Sequence, residues 1–266
     1  MRDEGMSKNY RVGIIGYGYL GSSLHQSLGG TEIEVCSIYN RSQERLNGLD
    51  DVPCTTSMEV FMESIYGLDL VVELAHPQVS CDFGKDILAL CDYMPCSVAA
   101  LADEHVMKDL TEAAMASGSR LLVPHGAVVG IDNLFEARDN WEEASITFRK
   151  PPDSLGVAGE ELNDETILFE GSVKEVALKF PRNVNAMVAC ALATVGVEKA
   201  RAKIIADRHT NNMLRGEFEF RGKDGSRLSI VKEEPAVGVS SPGMISSIVG
   251  SVIRASQVNS CGMEFV

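Results

Sequence analysis

The 266-residue chain has no apolar run fit to span a bilayer, no CxxC pair and no excess of basic residues. Each absence removes a class of function. Twenty-four Lys and Arg stand against 38 Asp and Glu, a net charge of −14. Binding a polyanion needs a basic stripe, so nucleic acid is excluded as a partner, and an anionic membrane surface fits as poorly. The longest uncharged stretch, Pro235 to Ile253, is broken by Pro242, three glycines and several serines. It reads as a loop entering a helix, not as a span. The opening "MRDEGMSKNY" lacks the apolar centre of a secretory signal. Seven cysteines are an odd number without paired spacing, so reduced thiols in a cytoplasmic protein are expected. No group of His, Cys and carboxylates has metal-ligand spacing, and no metal is expected.

What is present is the balance of a globular protein, 45% hydrophobic and 23% charged, with length for one large domain or two ordinary ones. In the first half short apolar runs alternate with helix-like stretches. "YRVGIIG", "IEVCSIY", "LDLVVELA", "MPCSVAA" and "SRLLVP" read as strands, with helices over 78–92 and 104–117 among the connections. The near-continuous apolar runs suit strands covered on both faces, and the alternation predicts an α/β fold with a doubly wound parallel sheet over residues 1–128. Then the texture changes. "ASITFRK", "ETILFEG", "RAKIIAD", "GEFEFRG" and "RLSIVK" are β-branched or aromatic strands, several alternating in polarity, and "GKDGS" marks a hairpin between the last two. They predict a second, smaller α/β domain, residues 129–241, on a mainly antiparallel open sheet, with a helix over 183–197. Met244, Ile245, Ile248, Val249, Val252 and Ile253 share one helical face. A final helix over 242–266 is therefore expected to pack back on the first domain.

Gly16, Gly18 and Gly21 follow a strand and open a helix, the setting that gives this spacing meaning. Gly16 allows the tight turn, Gly18 admits a pyrophosphate to the backbone, and Gly21 lets helix and strand approach. The helix start at Tyr19 and Leu20 then offers free N–H groups to phosphates. A carboxylate at the end of the second strand would select NAD; here stand Asn40 and Arg41. Asn40 does not repel a 2′-phosphate and Arg41 is able to pair with one, so NADP is favoured over NAD.

Several segments together resemble the aspartate dehydrogenase family, its animal branch of aspartate dehydrogenase domain-containing proteins especially. They are "RVGIIGYGYLGSSL", "IYNRS", "DLVVELAHP", "SVAALAD", "HGAVVGIDNL", "FPRNVNAMVACALATVGV" and "KIIAD". The resemblance implies a Rossmann domain plus a catalytic domain that closes over the nicotinamide, and a homodimer through the second sheet. The implied reaction interconverts L-aspartate and iminosuccinate, which hydrolyses to oxaloacetate and ammonia. It further implies that Ala75 and His76 line the cofactor, that Ala100 presents its backbone amide to it, and that Asn185 holds the nicotinamide side. The family carries a catalytic His in an Asn-x-His motif. The matching triplet here is Asn212-Met213-Leu214, and leucine carries no proton.

Two histidines are candidates to take over. His209 lies five positions upstream in the same loop as a substitute base, and His125 lies in a loop expected to contact substrate. Arg149, Lys150, Arg182, Arg201, Lys203 and Arg208 are available for substrate carboxylates. Two other readings remain open. One is an NADP-binding protein that has lost catalysis at Leu214 and acts in regulation. The other is an oxidoreductase of similar fold for a sugar-derived alcohol, which would need a Lys-Pro pair where this chain has Val98-Ala99-Ala100-Leu101.

Overall fold

The computed structural model describes residues 9–126, 128–157, 163–238, 240–257 and 262–265. Its first sheet is built from β1 (Tyr10–Ile15), β2 (Ile33–Tyr39), β3 (Cys54–Thr55), β4 (Leu70–Glu73), β5 (Asp92–Pro95) and β6 (Arg120–Val123). All its pairings are parallel, in the order β3-β2-β1-β4-β5-β6. The connecting helices α1 (Tyr19–Leu28), α2 (Met58–Ser64), α3 (Pro77–Leu88) and α4 (Glu104–Ser117) cover both faces. Strand alternation divides the core accordingly. Val12, Ile14, Leu70 and Val72 pack with Leu24 and Leu28 of α1. Ile15 and Val71 point the other way, to Phe61, Ile65 and Ile87. Helix starts follow local chemistry. Pro77 opens α3, and the Asp103 carboxylate accepts the N–H groups of His105 and Val106 at the head of α4.

The second layer follows as α5 (Ile131–Glu136), β7 (Trp141–Lys150), α6 (Pro152–Leu155), β8 (Glu165–Ser172), α7 (Val173–Lys179), α8 (Asn185–Leu192), β9 (Arg201–Asp207), β10 (Met213–Gly222) and β11 (Arg227–Pro235). Its sheet order is β11-β10-β7-β9-β8, antiparallel except for the β7–β9 pair. One face is apolar: Ala144, Ile146 and Phe148 of β7 and Phe218 and Phe220 of β10 join Met187 and Val188 of α8 in a single cluster.

The chain then returns. Helix α9 (Pro242–Gln257) places Ile248, Val252 and Ala255 against the α1 side of the first sheet. Arg120 fixes its far end, donating to Ala255 O at 2.8 Å while its guanidinium pairs with Asp92. Strand β12 (Gly262–Phe265) then adds a seventh, parallel strand beside β6.

Four element boundaries differ from expectation. The "MPCSVAA" strand stops at Pro95, and Val98–Ala102 form a 3₁₀ turn. The turn is closed by Ser97, whose N–H and hydroxyl both donate to the Glu73 carboxylate. Helix α3 ends at Leu88 because Asp92 already belongs to β5. Helix α8 is shorter than 183–197, since Asn183 and Val184 form the turn before it and Gly196 lies at φ +85° after it. The final helix stops at Gln257, and Gly262 at φ +98° opens a strand. Residues 258–261 and 266 of the expected helix lie outside the described residues.

Candidate active site

The C-terminal ends of the parallel strands meet the tip of the second sheet around two connected hollows. The first is a cleft of about 1020 Å³, open to solvent, between the glycine turn and α8. Gly16 sits at φ +98°, where a Cβ would lie 2.9 Å from the Leu74 carbonyl, so only glycine fits the turn. At Gly21 a Cβ would meet Gly16 O at 2.0 Å, so α1 approaches β1 only through a bare backbone. Gly18 is different. A Cβ there meets no protein atom within 4 Å, and no side chain caps the α1 N-terminus that it begins. Open space in front of uncapped N–H groups is the geometry a phosphate fills. The residues present therefore fit a dinucleotide, with Tyr19, Leu20 and Ala75 forming further wall.

Beneath this cleft lies Glu73, wholly buried at the end of β4. Its carboxylate accepts the N–H groups of Ala75 and His76 at 2.6 and 2.8 Å, and the N–H and hydroxyl of Ser97 at 3.1 and 3.0 Å. It thus ties together the loops after β4 and β5, between which the cleft opens. Burial outweighs these donors and pushes its pKa up to about 7. Sequence reading missed Glu73 because it continues the apolar run "LDLVVELA". Its one signal is a carboxylate inside a strand otherwise covered on both faces.

Other expected cofactor residues take different positions. Asn40 accepts the Tyr17 N–H at 3.0 Å and donates to Ser42 O, so its side chain braces the glycine turn. Arg41 stands exposed at the end of β2, with no salt bridge among the described residues. His76 is exposed and caps α3, its Nδ1 accepting the Gln78 N–H. The Ala100 N–H donates to Ser97 O within the 3₁₀ turn, so the geometry does not offer it to the cleft. Asn185 instead reaches across to the first sheet, its Oδ1 accepting the Ala99 N–H at 3.0 Å.

The second hollow is a chamber of about 580 Å³ on the inner face of the second sheet, sharing Arg182, Asn185 and Ser240 with the cleft. Lys150, Arg182, Arg215 and Lys232 line it against a single carboxylate, Glu234. Glu234 pairs with Lys232 at 2.9 Å and accepts the Ser241 hydroxyl at 2.7 Å. Arg215 is held by Glu217 and Glu233. Arg182 has no such partner among the described residues. The other candidate cations are elsewhere: Arg149 pairs with Glu165 and Asp207, Lys203 with Glu170, and Arg201 and Arg208 are exposed.

Leu214 lines the chamber. His209 does not. Its side chain is 71% exposed and lies 3.5 Å from Asp164, so it is not placed as a substitute base. His125 is half-buried beside Pro124 and Gly126, which line a smaller hollow next to Asn185, but it lines none of these spaces itself. Among the described residues, no group of His, Cys, Asp and Glu is arranged to hold a metal.

A parallel sheet with this strand order, a bare-backbone phosphate cradle and an adjoining second sheet define an NAD(P)-binding oxidoreductase of two-layered plan. Residues 13–124 match the profile of the homoserine dehydrogenase NAD-binding domain, and residues 132–248 that of the aspartate dehydrogenase C-terminal region. The L-aspartate dehydrogenase of Methanosarcina acetivorans is 33% identical over 82% of this chain and 87% of its own length. An aspartate dehydrogenase domain-containing protein of Xenopus tropicalis is 30% identical over 75% of each chain. The crystal structure of aspartate dehydrogenase from Thermotoga maritima superposes with a TM-score of 0.73 at 27% identity, covering 93% of this chain and 95% of that one. The chain belongs to the aspartate dehydrogenase family.

Proposed function

We propose that this protein interconverts L-aspartate with iminosuccinate, and hence with oxaloacetate and ammonia, using NADP in preference to NAD. One observation carries the reading: a chamber lined by the cationic side chains of Lys150, Arg182 and Lys232 and by one carboxylate opens on the dinucleotide cleft through shared residues. A small dicarboxylate seated there lies beside whatever occupies the cleft. The bound nicotinamide supplies the two-electron oxidant or reductant. The chain's own residues do the rest by holding the reactants together. Arg182, exposed at the junction and without a salt bridge among the described residues, suits a substrate carboxylate, and Lys232 suits the second. Asn185 fixes the wall between cleft and chamber. Arg41, exposed at the end of β2 and without a salt bridge among the described residues, supports the NADP preference.

The deciding assay is oxidation of NADPH with oxaloacetate and ammonia. Turnover is expected, and tight NADPH binding with no turnover on any amino or keto acid would sink the reading. Arg41→Ala is expected to weaken NADPH about tenfold, the worth of one charged hydrogen bond, and to leave NADH unchanged. The same reading includes a homodimer through the second sheet, checked by light-scattering mass measurement in solution, and a cytoplasmic protein. Among the described residues no helix is long and apolar enough to cross a membrane. A second reading rests on Leu214, whose apolar side chain stands in the chamber wall. It is a cofactor-binding regulator without turnover, and the same assay separates the two.

A further inference from the structure

The chamber lacks the expected histidine, but its wall holds another titratable side chain. On β7 the inward row runs Ala144, Ile146, Phe148 and Lys150, all buried, so a lysine occupies a position the pattern reserves for an apolar residue. Strand register places it. Arg215 pairs with Arg149, so the next step brings Leu214 opposite Lys150, while Leu214 pairs with Glu234 on the other side. Lys150 is therefore the cross-strand neighbour of the position where the family's histidine is missing.

Its hydrogen bonding is specific. Lys150 Nζ lies 3.1 Å from Asn183 Oδ1 and 3.2 Å from Asn183 O, and 5.3 Å from the Phe148 ring centre. Among the described residues no carboxylate is within salt-bridge distance of it. A neutral amine has two N–H groups and one lone pair. Asn183 takes both N–H groups, and the lone pair is left over. Asn183 and Asn185 thus divide the work of the "PRNVN" segment, one gripping Lys150 and the other the cofactor-side turn.

We propose, resting on the dehydrogenase reading above, that Lys150 is the proton acceptor for the substrate's α-ammonium group. In the oxidative direction the Nζ lone pair forms an N–H bond with one ammonium proton. The electron pair of the broken bond stays on the substrate nitrogen. That pair becomes the C=N bond as the Cα–H electrons pass to the oxidised nicotinamide dinucleotide, so aspartate is oxidised by two electrons and the dinucleotide reduced. Lys150 then carries the proton until it passes to solvent. Burial favours this role, holding the Lys150 pKa down at about 8 with no opposing carboxylate. The charged groups around the chamber are Arg182, Lys232 and Glu234, and the Arg215 side chain pairs with Glu217 and Glu233 on the opposite face. Asp207 on β9 pairs with Arg149 on the opposite face, and Asp153 on α6 is exposed. Burial is the cause of the lowered pKa, and Glu234 is committed to Lys232 and Ser241.

The test uses Lys150→Met and Lys150→Arg in the full chain. Methionine fits an apolar row, so K150M should fold and keep the wild-type NADPH Kd. It is expected to lose kcat by about 10²–10⁴-fold, to lose the wild-type rise in oxidative kcat through about pH 8, and to recover part of its rate with added ethylamine. K150R keeps the charge without an accessible lone pair and is expected to lose nearly as much. Independently of turnover, carbon-13 reductive methylation should give a lysine signal, absent in K150M, titrating near 8. A value near the ordinary 10.4, or K150M or K150R turning over within threefold of wild type, overturns the assignment and leaves the dehydrogenase reading standing. No wild-type turnover with aspartate overturns both.

Discussion

At the scale of single residues, the side chains hardest to read in sequence are those that contradict their surroundings. Glu73 is a carboxylate in a buried parallel strand, and Lys150 ends an apolar row. Sequence pattern assigns both positions to a core, and only the fold shows what surrounds them. The two are perturbed by the same cause, loss of water, in opposite directions. For Glu73 the consequence for stability has a definite sign. Its folded pKa of about 7 lies above the unfolded value near 4.3, so the folded state holds the proton more tightly. Its stabilising contribution is fully present below the unfolded pKa and is lost as pH rises through the folded one, a change of about 4 kcal/mol. Glu73→Gln cannot titrate. We expect the wild type to lose more stability than this variant between about pH 4.5 and 7, as measured by urea unfolding at each pH. Equal slopes would show that Glu73 titrates as in the unfolded chain.

Secondary-structure elements were more legible than residues, and the glycine turn most of all. Strand, turn and helix could be read in "RVGIIGYGYLGSSL" because each glycine meets a different steric demand, and those demands are local. The structure separates them. At Gly21 the clash partner is backbone, Gly16 O at 2.0 Å, whereas at Gly18 nothing lies within 4 Å. Gly21→Ala must push α1 away from β1, and a loss of about 3 kcal/mol is expected from such overpacking. Gly18→Val should instead fold with an unchanged Tm and fail to bind NADPH, since its side chain enters only the open cleft. Calorimetric melting with NADPH titration checks both, and intact NADPH binding by G18V would remove the phosphate from this turn. Elements set by long-range partners were not legible. The strand expected through "SVAA" becomes a 3₁₀ turn because Glu73, 24 residues upstream, takes both Ser97 donors. Similarly, β12 is a strand because β6 offers it an edge.

At the scale of the molecule, both layers could be read from the sequence, but not the way they join. A change in strand texture near residue 128 announces a second sheet without saying which end faces the first. The join is a continuous apolar cluster, running from Val71, Val98 and Leu101 of the first layer to Ala144, Met187 and Phe218 of the second, with polar contacts added by the Glu234 carboxylate to Ser241 at the start of α9 and by Asn185 to the 3₁₀ turn. Only the last crosses between cleft and chamber. Its single hydrogen bond, Ala99 N–H to Asn185 Oδ1, connects residues 86 positions apart and sets how the α8 wall stands against the cofactor side. Asn185→Ala leaves that N–H without its acceptor, a cost of about 1–3 kcal/mol where it is buried. Part of that cost should appear as lower stability. The rest should appear as looser registration of the two layers, which weakens binding on both sides of the wall. We therefore expect a lower Tm, a raised NADPH Kd and a raised KM for oxaloacetate in the same variant. Asn185→Asp keeps the Oδ1 acceptor and should restore Tm before it restores KM, because it adds a negative charge to a chamber suited to a dianion. If N185A raised only the Kd and left the KM unchanged, the wall would belong to the cofactor alone and the two hollows would act independently.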